Sequence, residues 1–277
     1  MHYIVRYGEI GLKGKNRSLF EKRLVRNIKD CLKKSGIKEF KIKRVRGRIL
    51  IKTDKECNCL KRVFGIVSFS KAVRTGADLE KIKKAVLELI KNKKFESFRV
   101  TTKKPQKSIK LDSMESNKEI GAFIQEKTRA KVDLTDYKYN LQIELFDDSA
   151  FVFDKKTEGF GGLPRGIAGR VLCLAEKEED LLASWLMMKR GCGVFLAGRK
   201  KINTNLLDKF DYGQKLGFLK IKNIKELEKL AKENNCKALV VSQTLEEFKN
   251  LKLDILTLRP LIGYSKEEIK NKMKEIK

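Results

Sequence analysis

From residue 171 onward, short apolar segments alternate with helical stretches, and that alternation restricts the last hundred or so residues to few architectures. Residues 171–174, 193–196, 238–241 and 254–258 read as buried strands, and helices are expected over 179–190, 223–234 and 265–276. Strand then helix, repeated, predicts a small parallel α/β domain. Its first strand runs into Cys173-Leu174-Ala175-Glu176-Lys177-Glu178-Glu179-Asp180. A loop that cradles pyrophosphate needs small residues, so that backbone N–H groups can approach the anion, and no carboxylates facing it. Glu176, Glu178 and Glu179 fail on both counts.

Upstream, residues 157–169 hold five glycines and a proline and read as a linker. The start of the chain predicts a strand over 2–7, a helix over 19–32 capped by Ser18, and a basic hairpin of 41–45 and 48–52 around Gly47. A short helix over 56–64 and a strand over 67–73 complete a βαββαβ, ferredoxin-like order. An amphipathic helix over 78–91, a strand over 97–102 and a helix over 113–129 follow. That last helix is expected to be capped by Ser113 and to bury Ile120, Phe123 and Ile124. Residues 141–145 and 150–153 predict a hairpin about Asp147-Asp148. The expected division is a ferredoxin-like domain over 1–75, a second α+β domain over 76–157, a linker over 158–170 and the α/β domain over 171–277.

Charge points to the partner. The chain carries 64 Lys and Arg against 36 Asp and Glu, a net +28. Many cations meeting a polyanion release its counterions, so nucleic acid is the first candidate. The plainer alternative is a lysine-rich surface that is merely solvated. No stretch reaches the roughly 18 apolar residues of a membrane span, and the N-terminus lacks a signal-peptide core, so a cytoplasmic location is expected. His2 is the single histidine. A Ser-His or Cys-His pair and a histidine-rich metal site are thereby disfavoured, and no metal is expected. The six cysteines lack zinc spacing and read as reduced core thiols. Trp185 reads as core.

The opening Arg6-Tyr7-Gly8-Glu9-Ile10-Gly11-Leu12-Lys13-Gly14-Lys15-Asn16-Arg17, then Arg62-Val63-Phe64-Gly65-Ile66, Ser113-Met114-Glu115-Ser116-Asn117, Gly159-Phe160-Gly161-Gly162-Leu163-Pro164-Arg165-Gly166 and Leu258-Arg259-Pro260-Leu261-Ile262-Gly263 form five ordered blocks. With them the chain resembles the tRNA 4-thiouridine synthetase (tRNA sulfurtransferase) family along nearly its whole length. The resemblance implies a ferredoxin-like domain, a THUMP RNA-binding domain and an ATP-pyrophosphatase domain. In the family, the last of these carries a Ser-Gly-Gly-x-Asp-Ser loop. Here those positions fall on Glu176, Lys177 and Glu178, and only Asp180 matches, as the one catalytic candidate if the domain is active. A segment between the Ala-Leu-Val strand and Ser-Gln-Thr-Leu is missing after Val241. The resemblance therefore implies a tRNA-binding protein of thiolation with a degenerate, shortened third domain and no cofactor of its own. ATP and Mg belong to the alternative, an active sulfurtransferase with a divergent site. A general RNA-binding protein is a third reading.

The expected partners are the acceptor arm and 3′ end of tRNA, a separate catalytic or sulfur-donor protein and, in one variant, a second copy of the chain. Candidate RNA contacts are Lys13, Lys15, Asn16 and Arg17 in a glycine-punctuated loop, and Lys103, Lys104, Lys107 and Lys110 before the helix at Ser113. That helix start is expected to add free N–H donors for phosphate. Arg165 and Arg170 flank the linker and are read either as RNA contacts or as strand-end caps.

Overall fold

The computed structural model describes residues 1–105 and 112–276. In chain order the elements are β1 (His2–Arg6), α1 (Arg17–Lys34), β2 (Phe40–Val45), β3 (Arg48–Thr53), β4 (Ser68–Thr75), α2 (Leu79–Ile90), β5 (Ser97–Lys103), α3 (Ser113–Thr128), β6 (Lys131–Val132), β7 (Tyr139–Leu145), β8 (Ala150–Phe153) and β9 (Thr157–Glu158). There follow β10 (Arg170–Leu174), α4 (Glu178–Lys189), β11 (Gly193–Gly198), α5 (Asn205–Asp208), β12 (Gly217–Lys220), α6 (Glu226–Glu233), β13 (Cys236–Val240), β14 (Thr257–Leu258) and α7 (Lys266–Ile276). The ferredoxin-like, THUMP and parallel-sheet architecture expected from the sequence is present. No helix among the described residues is long and apolar enough to cross a membrane.

Two compact units divide the chain, one of residues 1–6, 39–56 and 68–158, the other of residues 7–38, 57–67 and 159–277. The first holds a nine-stranded sheet ordered β2-β3-β1-β4-β8-β7-β5-β6, with β9 beside β4. Alternation assigns its faces. Val73, Phe98, Val100, Leu141, Ile143 and Val152 pack with Ile82, Val86, Ile120 and Ile124 of α2 and α3. The other face gathers Ile4, Ala72, Phe146, Phe151 and Phe153, with Val45 and Leu50 against them. On that face Glu144 is 2% exposed and takes Arg6 Nε at 2.8 Å and Arg48 Nε at 2.7 Å. Strands β1 and β3 thus meet β7 within one side chain's reach, so the sheet curls over this face.

The second unit is built on a five-stranded parallel sheet, β12-β11-β10-β13-β14. Trp185 of α4 is 1% exposed. Its ring meets Phe64 and Phe160 edge-on at 5.3 and 5.4 Å. In α1, Leu24, Ile28, Cys31 and Leu32 are buried, while Asn27 donates to the Arg165 carbonyl at 3.1 Å and Asp30 accepts from Gly213 N–H at 2.7 Å. These bonds tie α1 to its own unit.

Several local expectations change. Helix α1 begins before Ser18, because two 3-10 turns, Glu9–Leu12 and Gly14–Asn16, lead directly into it. The helix expected over 56–64 is only a 3-10 turn at Asn58–Arg62, ended by extended Val63 and by Gly65 at φ +99°. Residues 159–169 are no loose linker. Leu163 N–H bonds the Lys189 carbonyl at 2.9 Å, Gly166 N–H bonds the Gly191 carbonyl at 2.7 Å, and Gly65 N–H bonds the Gly161 carbonyl at 2.7 Å. A Cβ at Gly162 would lie 2.2 Å from the Lys189 oxygen, so only glycine permits that approach. Helix α5 and strand β12 carried too little apolar pattern to be anticipated. Of the strand expected over 254–258, only Thr257–Leu258 pairs.

Candidate functional site

Chain connections leave β10 toward β11 on one side and reach β13 on the other, so the order of the parallel sheet reverses between β10 and β13. Ligands of open α/β sheets bind outside the strand carboxyl ends at such a point. Two cavities lie there. One, of about 220 Å³, is lined by Leu174, Glu176, Asp180, Val241 and Gln243. The other, of about 500 Å³, is lined by Lys177, Glu178, Thr244, Lys266, Lys270 and Lys274.

The turn from β10 into α4 is closed by its own side chains. Asp180, 3% exposed, accepts the backbone N–H groups of Glu176 and Lys177 at 2.7 and 2.9 Å. Carboxylates suit the positive end of a helix, and Glu178, Glu179 and Asp180 fill this first turn. Glu176 grips Arg199, at the end of β11, with both oxygens at 2.6 and 2.7 Å. That bidentate contact holds the Glu176 carboxyl below its ordinary range. Lys177 Nζ faces Glu247 at 3.4 Å. Behind the turn, burial pushes the Cys173 thiol up to about 12, which removes it as a nucleophile near neutral pH. Cys192, also buried, is pushed up for the same reason.

The anticipated RNA contacts divide by environment. Lys15 and Asn16 are exposed and Lys13 is half-exposed over the Phe20 ring at 5.4 Å. Gly14 sits at φ +49°, and a Cβ there would meet nothing within 4 Å, so the backbone is open to approach. Arg17 is committed inward: its Nε donates to Glu21 and its Nη2 to Tyr7, each at 2.8 Å. Lys103 is exposed at the end of β5 and Lys104 is half-buried, whereas Lys107 and Lys110 lie outside the described residues. The cap of α3 is Asp112, not Ser113. Its carboxylate takes the N–H groups of Met114 and Glu115 at 2.7 and 3.1 Å, so those donors are not offered to a phosphate. Asp112 lies in an extended conformation just before the helix, the geometry an N-cap needs.

Arg165 is 1% exposed and its guanidinium pairs with Asp211, so it is a buried partner within its unit and not the surface cation its place in the sequence suggested. Arg170 remains exposed at the head of β10, over the Phe195 ring at 5.8 Å. Sequence reasoning missed the Arg6–Glu144–Arg48 cluster and Arg199. The signal was present in Leu141-Gln142-Ile143-Glu144-Leu145, where polar residues on one face of an apolar strand require partners.

Three family profiles match in order: the ThiI ferredoxin-like domain over residues 2–70, the THUMP domain over 76–154 and Thiamine biosynthesis protein (ThiI) over 195–277. A probable tRNA sulfurtransferase of Thermococcus kodakarensis is 35% identical, the alignment covering 99% of this chain and 87% of that protein. The chain belongs to the tRNA sulfurtransferase family. A second probable tRNA sulfurtransferase, from Methanocaldococcus jannaschii, is 33% identical over 100% of this chain and 88% of its own length. Among tRNA sulfurtransferase relatives, the alignment with the Thermococcus protein runs over 330 positions although this chain has 277 residues, so that relative carries segments missing here. The crystal structure of PH1313 from Pyrococcus horikoshii superposes with a TM-score of 0.89 at 32% identity, covering 99% of both chains. A crystal structure of a 4-thiouridine synthetase–RNA complex with bound ATP superposes with a TM-score of 0.81 at 30% identity, covering 99% of this chain and 84% of that one.

Proposed function

We propose that this tRNA sulfurtransferase relative binds tRNA for thiolation at the acceptor arm and 3′ end, with its own ATP site lost and catalysis lost or supplied by a separate protein. Family membership, the THUMP match and the RNA-bound structural neighbour support the RNA part. The net charge of +28 supplies the electrostatic attraction. Recognition rests on phosphates and shape, because A-form RNA hides its base edges in a deep, narrow groove.

The observation that carries the loss of ATP is that Glu176, Lys177 and Glu178 stand where the family's loop has Ser-Gly-Gly, with the Glu176 carboxylate bonded to Arg199. Side chains at these positions block the backbone approach that a pyrophosphate needs, and Glu176 and Glu178 place negative charge beside it. The residues present therefore do not fit a pyrophosphate, and no ATP-dependent step is derived for this chain. A second reading, an active enzyme with a divergent ATP and Mg site, draws support from the ATP-bound neighbour and from the lysine-lined cavity. Calorimetric titration of the purified protein with ATP, with and without tRNA, decides between the two. No heat of ATP binding at millimolar nucleotide is expected in either arm. Micromolar binding abolished by Lys177→Ala would establish the second reading.

A further inference from the structure

The curled face of the first unit's sheet ends in a cleft of about 370 Å³ that no feature of the family reading uses. Its floor is apolar: Val45 and Leu50 from the β2–β3 hairpin, with Phe146 and Phe151 from the β7–β8 turn. His2 forms one wall, its imidazole meeting the Phe151 ring edge-on at 6.2 Å. The rim is cationic, since Lys41, Lys43, Lys52 and Arg74 all line the cleft and all are exposed. Asp148 is the one carboxylate among the lining residues, with Arg74 4.0 Å away.

The register adds a second observation. Lys41 and Lys52 stand directly opposite one another on β2 and β3. Like charges paired across strands are destabilising, so this arrangement costs the folded protein stability in the absence of an anion. An anion between the two lysines reverses that cost. His2 adds no charge of its own at neutral pH, because burial, then the N-terminal ammonium, Arg74 and Lys52, hold its imidazole below the ordinary range. It therefore presents a neutral aromatic surface.

From the apolar floor and opposed lysines we infer that this cleft holds one unpaired nucleotide of the bound RNA, its base against Val45, Leu50 and Phe146 and its phosphate between Lys41 and Lys52. The volume lies in the range of pockets for ligands of this size. An apolar bed beside a cationic track is also how proteins hold single strands, and it contrasts with the phosphate-only grip available on a duplex. The inference rests on the RNA-binding reading, and it assigns that reading a specific place and a single-stranded segment.

The test uses the full chain, a short single-stranded oligoribonucleotide and an RNA duplex, read by fluorescence anisotropy. The double variant Lys41→Gln, Lys52→Gln removes the opposed charges and should fold at least as stably as the parent. Its affinity for the single strand should fall about tenfold and the slope of log affinity against log salt by roughly 0.7, the value for one phosphate, with duplex affinity changing less than twofold. The control variant Lys13→Gln, Lys15→Gln should leave the ratio of single-strand to duplex affinity unchanged. Equal losses on both RNAs, or none on the single strand, would overturn the inference. Should the parent bind tRNA but not the oligoribonucleotide, the cleft assignment fails while tRNA binding stands. Binding of neither RNA removes the RNA reading itself. Displacement of the single strand by an acidic peptide that binds more tightly would overturn the assignment in favour of a protein partner.

Discussion

The turn from β10 into α4 and the hairpin of β2 and β3 treat negative charge in opposite ways. In the turn, two backbone donors are taken by Asp180 and the neighbouring Glu176 is taken by Arg199, so the local field is satisfied from within. On the hairpin, Lys41 faces Lys52 with no carboxylate between them in the strand register. A helix N-terminus is thus not an anion site merely by being one: what matters is whether the chain has already supplied the anion. Within the same first unit, Glu144 shows the satisfied case again, its carboxylate closed between the guanidinium groups of Arg6 and Arg48.

The largest effect is expected where that closed cluster is broken. Glu144→Ala leaves Arg6 and Arg48 without their shared carboxylate in a largely buried place, and removal of one partner of a buried ion pair costs about 3–5 kcal/mol. Urea unfolding of the variant measures it, and a loss below about 1 kcal/mol would show that both guanidinium groups escape to water. The pH dependence has a fixed sign. Burial alone would raise the Glu144 carboxyl, but Arg6 and Arg48 outweigh it and hold the folded value below the ordinary 4.5. The stability this carboxylate contributes is therefore fully present above about pH 4.5 and is lost as pH falls through the depressed value. Glu144→Gln should flatten that acid limb of the stability curve.

A smaller loss is expected at the turn. Asp180→Ala frees the N–H groups of Glu176 and Lys177, and loss of such a cap costs about 0.5–2 kcal/mol, read by thermal unfolding. The same variant sharpens the comparison. Asp180 is the one position of the family's Ser-Gly-Gly-x-Asp-Ser loop that this chain keeps, so its removal is not expected to open an ATP site. The expected outcome is no ATP binding, because Glu176 and Glu178 still place negative charge at the turn.

Much of this was legible from residue pattern. The period-2 strands of the first unit and the strand–helix alternation after residue 171 were long and apolar enough to define most strands of both sheets, the short β6, β9 and β12 excepted. The carboxylates at Glu176, Glu178 and Glu179 signalled the altered turn before any geometry was known. What stayed hidden depends on long-range partners. Arg165 looks like a basic linker residue in sequence, because nothing nearby announces Asp211 or the burial around it. Glycines 161, 162 and 166 look like slack, yet they are spent on close backbone approaches to residues 65, 189 and 191. The α3 cap was misplaced by one residue because Asp112 and Ser113 are both good caps, and only the backbone conformation chooses between them.

The smallest expected effect concerns the 3′ end of tRNA, and the Asp112 cap is what makes it small. The N–H groups of Met114 and Glu115 are already bonded, so at this helix start a terminal phosphate is attracted by side chains such as the exposed Lys103. A surface cation alone gives a weak, salt-sensitive contact. Lys103→Glu with Lys104→Glu should therefore lower affinity for intact tRNA only a few-fold, and should narrow the difference between intact tRNA and tRNA lacking its terminal CCA. Filter binding of both RNAs at low and moderate salt measures this. Parent protein that binds both RNAs equally would assign the interaction to RNA in general. A large, salt-independent loss in the variant would instead mean that the loop makes buried contacts to the terminus, and that the closed turn and the open rim are not the only two ways this chain meets an anion.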